Sequence, residues 1–140
     1  MTSMFVSMPA TDLDRSKAFY TAVGFTINPA MSDHNSLCVI VDEGHNYLML
    51  LTREFFQTFS ELPIGDPKVN PSVSTAIFLD SRDAVDKAVD DGLAAGGVEP
   101  HEATDYGFMY QRQVNDPDGN ILEFGWFDPA AAQGAPADGS

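Results

Sequence analysis

The chain has 140 residues, of which 44% are apolar and 20% charged, so it reads as one globular domain that can bury a core without disulfides or a structural metal. Asp and Glu number 21 against 7 scattered Lys and Arg. The formal net charge of −14 would repel phosphate backbones and anionic bilayers, which disfavours nucleic-acid and membrane-surface roles.

Met4 to Met8 is short and apolar and reads as a strand ended by Pro9. Thr11 or Asp12 can cap a helix, with Asp14 placed for a capping box. Leu13, Ser16, Phe19, Tyr20 and Val23 share one face of that helix, and Gly24 stops it. Phe25 to Asn28 reads as a strand. Leu37 to Val41 and Tyr47 to Leu51 read as a hairpin closed by the polar turn between them. Residues 53–71 differ in character. A short helix around Glu54 to Phe59 is followed by Pro63, Gly65, Pro67 and Pro71, which break regular structure and suggest a linker.

The second half repeats the pattern of the first. Ser72 to Leu79 reads as a strand, and Ser81 caps a helix with Val85, Ala88 and Val89 on one face. Gly96-Gly97 ends that helix. Phe108 to Val114 and Ile121 to Phe127 read as strands around the Asp116-Pro117-Asp118-Gly119 turn. The expectation is one domain over 1–128, with modules at 3–52 and 72–128 joined by the linker, and a disordered tail over 129–140. Strand-helix-strand alternation also suits a ferredoxin-like domain, and pattern alone leaves both open.

The N-terminus shows no basic-then-apolar leader, and no run approaches the ~20 apolar residues of a spanning helix, so a cytoplasmic protein is expected. Cys38 is the single cysteine and sits in an apolar run, where a buried inert thiol is the expectation. His34, His45 and His101 read as ordinary surface histidines. No Ser-His-Asp or Cys-His spacing suggests a catalytic triad, and no glycine-rich phosphate loop follows a strand.

Two local motifs are more specific. Pro9-Ala10-Thr11-Asp12-Leu13-Asp14-Arg15-Ser16 with Ala18-Phe19-Tyr20 and Val23-Gly24-Phe25 resembles the opening signature of the vicinal-oxygen-chelate superfamily. That superfamily includes glyoxalase I, bleomycin-resistance proteins and extradiol dioxygenases. Asp116-Pro117-Asp118-Gly119-Asn120 with Leu122-Glu123-Phe124 resembles its closing signature. The resemblance spans about residues 3 to 128. It implies an α+β fold in which two βαβββ modules form a curled mixed sheet, and it implies a cup that in the metalloenzymes holds a divalent ion on four inward side chains.

Carried onto this sequence, the four ligand positions fall on Phe5, Leu50, Ser74 (or Ser72) and Glu123. Only Glu123 is a competent ligand for a hard or borderline cation. The resemblance therefore implies a cup in which no cofactor is called for, while a divalent metal stays open. Glu123 is the candidate catalytic group or ligand acceptor, and as a carboxylate in a partly apolar cup it calls for a polar partner. Phe5, Leu50 and Ser74 are candidate ligand-binding residues. Tyr106, Phe108, Tyr110 and Arg112 alternate along the chain, so Phe108 and Tyr110 could stack on a flat ligand and Arg112 pair with an anionic group. The implied function is binding of a small organic molecule without the family metal, with a lyase or dioxygenase of altered site as the alternative and a ligand-free scaffold as a third. A homodimer is implied as well, since such modules pair across chains.

Overall fold

The computed structural model describes residues 1–134. Each half is a βαβββ module. The first runs β1 (Met4–Ala10), α1 (Leu13–Val23), β2 (Thr26–Ile27), a 3₁₀ turn at Pro29–Met31, β3 (Ser36–Asp42) and β4 (Asn46–Thr52). A short helix, α2 (Arg53–Gln57), opens the linker. The second module runs β5 (Ser74–Phe78), α3 (Arg82–Ala94), β6 (Thr104–Asp105), β7 (Met109–Asn115) and β8 (Ile121–Phe127). The strand order is β1-β4-β3-β2 in one sheet and β5-β8-β7-β6 in the other, so the sequence repeat is a repeat of topology. Each module keeps its own four-stranded sheet, which overturns the ferredoxin-like alternative. The two sheets do not close into one ring, and β1 and β5 are both edge strands.

Local chemistry explains the elements. Asp12 caps α1 by accepting from the backbone N–H groups of Asp14 and Arg15, and Gly24 ends it in the left-handed region at φ 119°. Ser81 caps α3 through the Ala84 N–H. In β1, Val6, Met8 and Ala10 turn toward the helices while Phe5 and Ser7 turn away, as period two requires. Phe19, Tyr20, Val39, Leu50, Val85, Val89, Leu122 and Phe124 make the centre of one core shared by both modules. Burying each large side chain there contributes roughly 1.5–3 kcal/mol. Pro129–Gly134 is a further short helix, α4, where the sequence suggests an irregular tail. The part of that expectation on residues 135–140 lies outside the described residues.

The modules are joined by a buried polar clasp. Asp116 accepts four hydrogen bonds: Oδ1 from the N–H groups of Asp118 and Asn120, and Oδ2 from the Tyr20 hydroxyl at 2.7 Å and the Asn120 amide. Asn120 also donates to the Pro9 carbonyl at 3.1 Å. Asp118 Oδ1 takes the Thr11 N–H and hydroxyl and the Arg15 guanidinium. Thr11 is thus spent on the other module, which leaves the α1 cap to Asp12. Burial pushes the Asp116 carboxyl up, although the four donors pull the other way, and burial beside Asp116 pushes the Tyr20 phenol well up. Gly119 holds the turn at φ 90°, and a β-carbon there would stand 2.9 Å from the backbone nitrogen of Lys68. Backbone conformation and the close pass of the linker both require glycine at this turn.

Candidate functional site

Strand register fixes what each sheet shows on the face away from the helices. Glu123 pairs with Ala76 on β5 and with Gln113 on β7, and Gly125 pairs with Phe78 and Gln111. Ser74 shares this face one step along β5. In the first module Phe5 pairs with Tyr47, and the two rings stack at 4.5 Å. Ser7 lies beside Met49 in the next row. The structure therefore brings Phe5, Ser74 and Glu123 to the faces turned away from the helices.

Leu50 is a correction. It pairs with Met8 and Leu37 and is fully buried in the core beneath the helices. A one-residue difference in register moves a side chain to the opposite face, and Leu50 takes the inner one. Met49 takes the outward place. Tyr110 and Arg112 are corrected for the same reason. They pair with Trp126 and Phe124, so they lie on the helix side of β7. The Tyr110 hydroxyl donates to Asp86. Arg112 is held by Asp86, Asp90 and Glu99 at 2.9–3.0 Å, a set of three carboxylates that leaves it no role as an anion receptor. Those partners hold the guanidinium's pKa far above its ordinary value. The apparent alternation from Tyr106 is broken by a bend at Gly107, φ 82°. Phe108 thus sits in the loop before β7, half exposed and 6.1 Å from the Tyr106 ring.

The residues that face Glu123 on β7 are Gln111 and Gln113, because Tyr110 and Arg112 take the helix side. Gln111 Nε2 donates to Glu123 Oε2 at 3.1 Å and is the polar partner the carboxylate needs. Gln113 Oε1 lies 2.9 Å from His101 Nε2, and its amide nitrogen donates to Asn115. His101 Nδ1 lies 3.0 Å from the Glu102 carbonyl. Those two acceptors, Glu102 first, raise the His101 pKa above its ordinary value. His101 is thus part of the site, whereas His45 pairs with Asp42 on an exposed turn. Nothing in the local sequence marks His101, since its loop reaches the face only through the fold.

Two hollows adjoin the second sheet. One, of about 100 Å³, is lined by His101, Thr104, Gln111, Arg112, Gln113 and Glu123, with the Arg112 guanidinium turned to its three carboxylates. The other, of about 670 Å³, is the cleft between the facing edges of β1 and β5. Its apolar walls include Val6, Phe25, Leu48, Ile77 and Leu79, with Asp42, Asn46, Thr75 and Asp80 as polar groups. Ala76 and Phe78 line the cleft and also flank Glu123 and Gly125, so the larger hollow adjoins the polar one across a single strand.

A metal centre of the superfamily's type does not fit these residues. Phe5 and Tyr47 or Met49 stand where the first module would supply ligands, and Ser74 is a weak donor beside the lone carboxylate of Glu123. Among the described residues no three His, Cys, Asp or Glu side chains converge. Cys38 is buried, as its apolar run suggests, and burial raises its thiol pKa. No helix is long and apolar enough to cross a membrane among the described residues.

Comparison with known proteins agrees with this architecture. The family model for the N-terminal region of bleomycin resistance protein-like proteins matches residues 2–41. No curated protein matches the chain in sequence. The structure of the S. aureus protein SA1046 is similar at TM-score 0.74 and 27% identity, over 89% of this chain and 92% of that one. A glyoxalase/bleomycin resistance protein/dioxygenase family enzyme from Burkholderia phytofirmans PsJN gives TM-score 0.70 at 22% identity, over 89% and 97%. The bleomycin resistance determinant encoded on transposon Tn5 gives TM-score 0.61 at 20% identity, over 90% and 98%. Residues 2–41 thus match the bleomycin resistance protein-like N-terminal model, and the chain has the fold of the glyoxalase/bleomycin resistance protein structures.

Proposed function

We propose that the chain binds a small organic molecule in the cleft between its two sheets and does so without a metal of the superfamily's type. The observation that carries this reading is the cleft itself. At about 670 Å³ it falls within the range of ligand sites, and its apolar walls carry a few polar groups that can orient a guest. The mismatch of Phe5, Ser74 and Glu123 with a metal centre supports the second half of the reading. A thermal-shift screen of purified protein against catechols, thiol conjugates and glycopeptide drugs tests it, together with elemental analysis. Stabilisation by at least one class, lost on Ala76→Trp, is expected. Stoichiometric Ni, Zn, Fe or Mn, or no stabilisation by any compound, overturns it.

A second reading, an enzyme of lyase or dioxygenase ancestry with an altered site, is favoured by one observation. Glu123 and His101 line the same small hollow, a carboxylate and an imidazole each held by a glutamine, the residue types of general acid–base chemistry. Turnover abolished by Glu123→Gln in a screen of such substrates would support it over simple sequestration.

The reading takes the protein as a cytoplasmic homodimer. Phe5, Phe78, Phe108 and Phe127 are each more than 40% exposed, and Phe78 and Phe127 adjoin at 5.2 Å, apolar surface of the kind that a partner covers. Sedimentation at micromolar concentration should give a dimer, and a monomer would remove that part of the proposal.

A further inference from the structure

Most half-buried or buried carboxylates of the second module meet a cation or several donors, whereas Glu123, like Asp128 with the Ala130 N–H, meets one amide. Glu99 is paired with Arg112, and Asp118 with Arg15. Asp116 is saturated by four donors. Glu123 receives one neutral amide hydrogen bond, and no cationic side chain pairs with it among the described residues. The chain has little to offer in this respect. Its four arginines are engaged elsewhere: Arg15 on Asp118, Arg53 on the Gly65 carbonyl, Arg82 on Asp105 and Arg112 on its three carboxylates.

The unused hydrogen-bond capacity has a sign. Gln113 has both ends of its amide engaged, by His101 and Asn115. Glu123 Oε1 and Gln111 Oε1 have no partner among the described residues, and both accept. The aromatic surroundings complete the pattern. The Phe78 ring lies across Gly125, where a β-carbon would stand 2.8 Å from it, and Phe127 is 5.2 Å away. Both rings are exposed. A flat group can thus rest on Phe78 within one residue pair of the carboxylate, and the large cleft lies on the other side of the same strand.

We infer that the ligand carries a planar cationic donor head, an amidinium or guanidinium, that seats on Glu123 Oε1 and Gln111 Oε1 while its aromatic body lies on Phe78 and enters the cleft. This rests on the cleft being the binding site. A half-buried carboxylate without a counter-charge gains most from a guest that supplies one, and two planar N–H donors match two neighbouring acceptors. A cation also gains from the Phe78 face. The 100 Å³ hollow fits such a head alone, so the body must extend toward β5. His101 is the titratable cation nearest this face, with both ring nitrogens already engaged.

Calorimetric titration of the full chain with benzamidine, benzyl alcohol and benzoate tests the inference. Benzamidine should bind about tenfold more tightly than benzyl alcohol, and benzoate more weakly than either. Glu123→Gln should remove the benzamidine advantage and leave benzyl alcohol unchanged, and Gln111→Leu should reduce it by a smaller factor. Benzamidine affinity should rise with pH as His101 loses its proton. Equal binding of benzamidine and benzyl alcohol, or an advantage that survives Glu123→Gln with the fold intact by circular dichroism, overturns the inference but leaves the cleft as a ligand site. Absence of binding by all three overturns both.

Discussion

Asp116 and Glu123 lie on the same hairpin, yet the fold treats their carboxylates in opposite ways. Asp116 is buried at the junction of the modules with four donors on its two oxygens. Glu123 lies on the outer face of β8 with a single amide donor. A saturated buried carboxylate stabilises structure, because every group that meets it would be left unpaired without it. An unsaturated one at a hollow contributes little to the fold and keeps its capacity for a guest. The closing motif thus carries two differently treated carboxylates, one saturated in its turn and one left with free acceptor capacity in its strand.

The clasp is where a single substitution should cost most. Asp116→Ala strands the Tyr20 hydroxyl, the Asn120 amide and two backbone N–H groups, and should cost about 3 kcal/mol or more in urea denaturation. A loss under about 1 kcal/mol would show that the modules are held by their apolar contacts alone. Gly119→Ala meets both an unfavourable φ and the Lys68 backbone, and should cost about 2 kcal/mol. Arg112→Met removes the partner of three carboxylates on the helix side and should cost about 1–2 kcal/mol, with ligand binding unaffected. A loss of binding on this change would return Arg112 to the site.

Glu123→Gln should leave the urea midpoint within about 0.5 kcal/mol of the parent, the outcome that most sharply separates it from Asp116. The smallest effect is expected at His101. Its folded pKa is raised, so its contribution is fully present below the ordinary value of about 6.5 and is lost as pH rises through the raised value. Proton NMR titration should place the His101 midpoint above that of His101 in the Gln113→Leu variant. Identical midpoints would remove Gln113 as a cause of the shift.

Arg82 offers a further contrast within the second module. It takes Asp105 in a two-pronged contact at 2.8 and 2.9 Å, donates to the Gly107 carbonyl, and lies 5.1 Å from the Tyr110 ring centre. Arg82 holds the Asp105 carboxyl down to about 2. This pin sets the loop that carries Tyr106 and Phe108, so the aromatic rim is anchored from the helix side while it opens on the other.

Much of the architecture was legible in the residues. Apolar periodicity gave the module order, Ser81 and Gly24 marked helix ends, and the two motifs marked the modules' outer limits. The motifs also located Glu123, because its distance from the Gly119 turn lies within one continuous hairpin. Local sequence could not give the facing of β4 and β7. A strand's two faces are distinguished only by what pairs beside it, and both strands carry side chains that suit either face. Leu50 and Arg112 therefore lie on the side opposite to the one their local sequence suggests, and Gln111 and Gln113 take the outer face. His101 was hidden for a related reason, since its loop meets the face through contacts with a strand far along the chain.

The repeated module and the turns depend on residues close together in the chain, so they are fixed at the level of sequence. Only the tertiary structure decided which polar groups meet. Pairing across strands sets facing, and docking of one module on the other sets burial. Those two long-range terms are what made Asp116 a clasp and left Glu123 open.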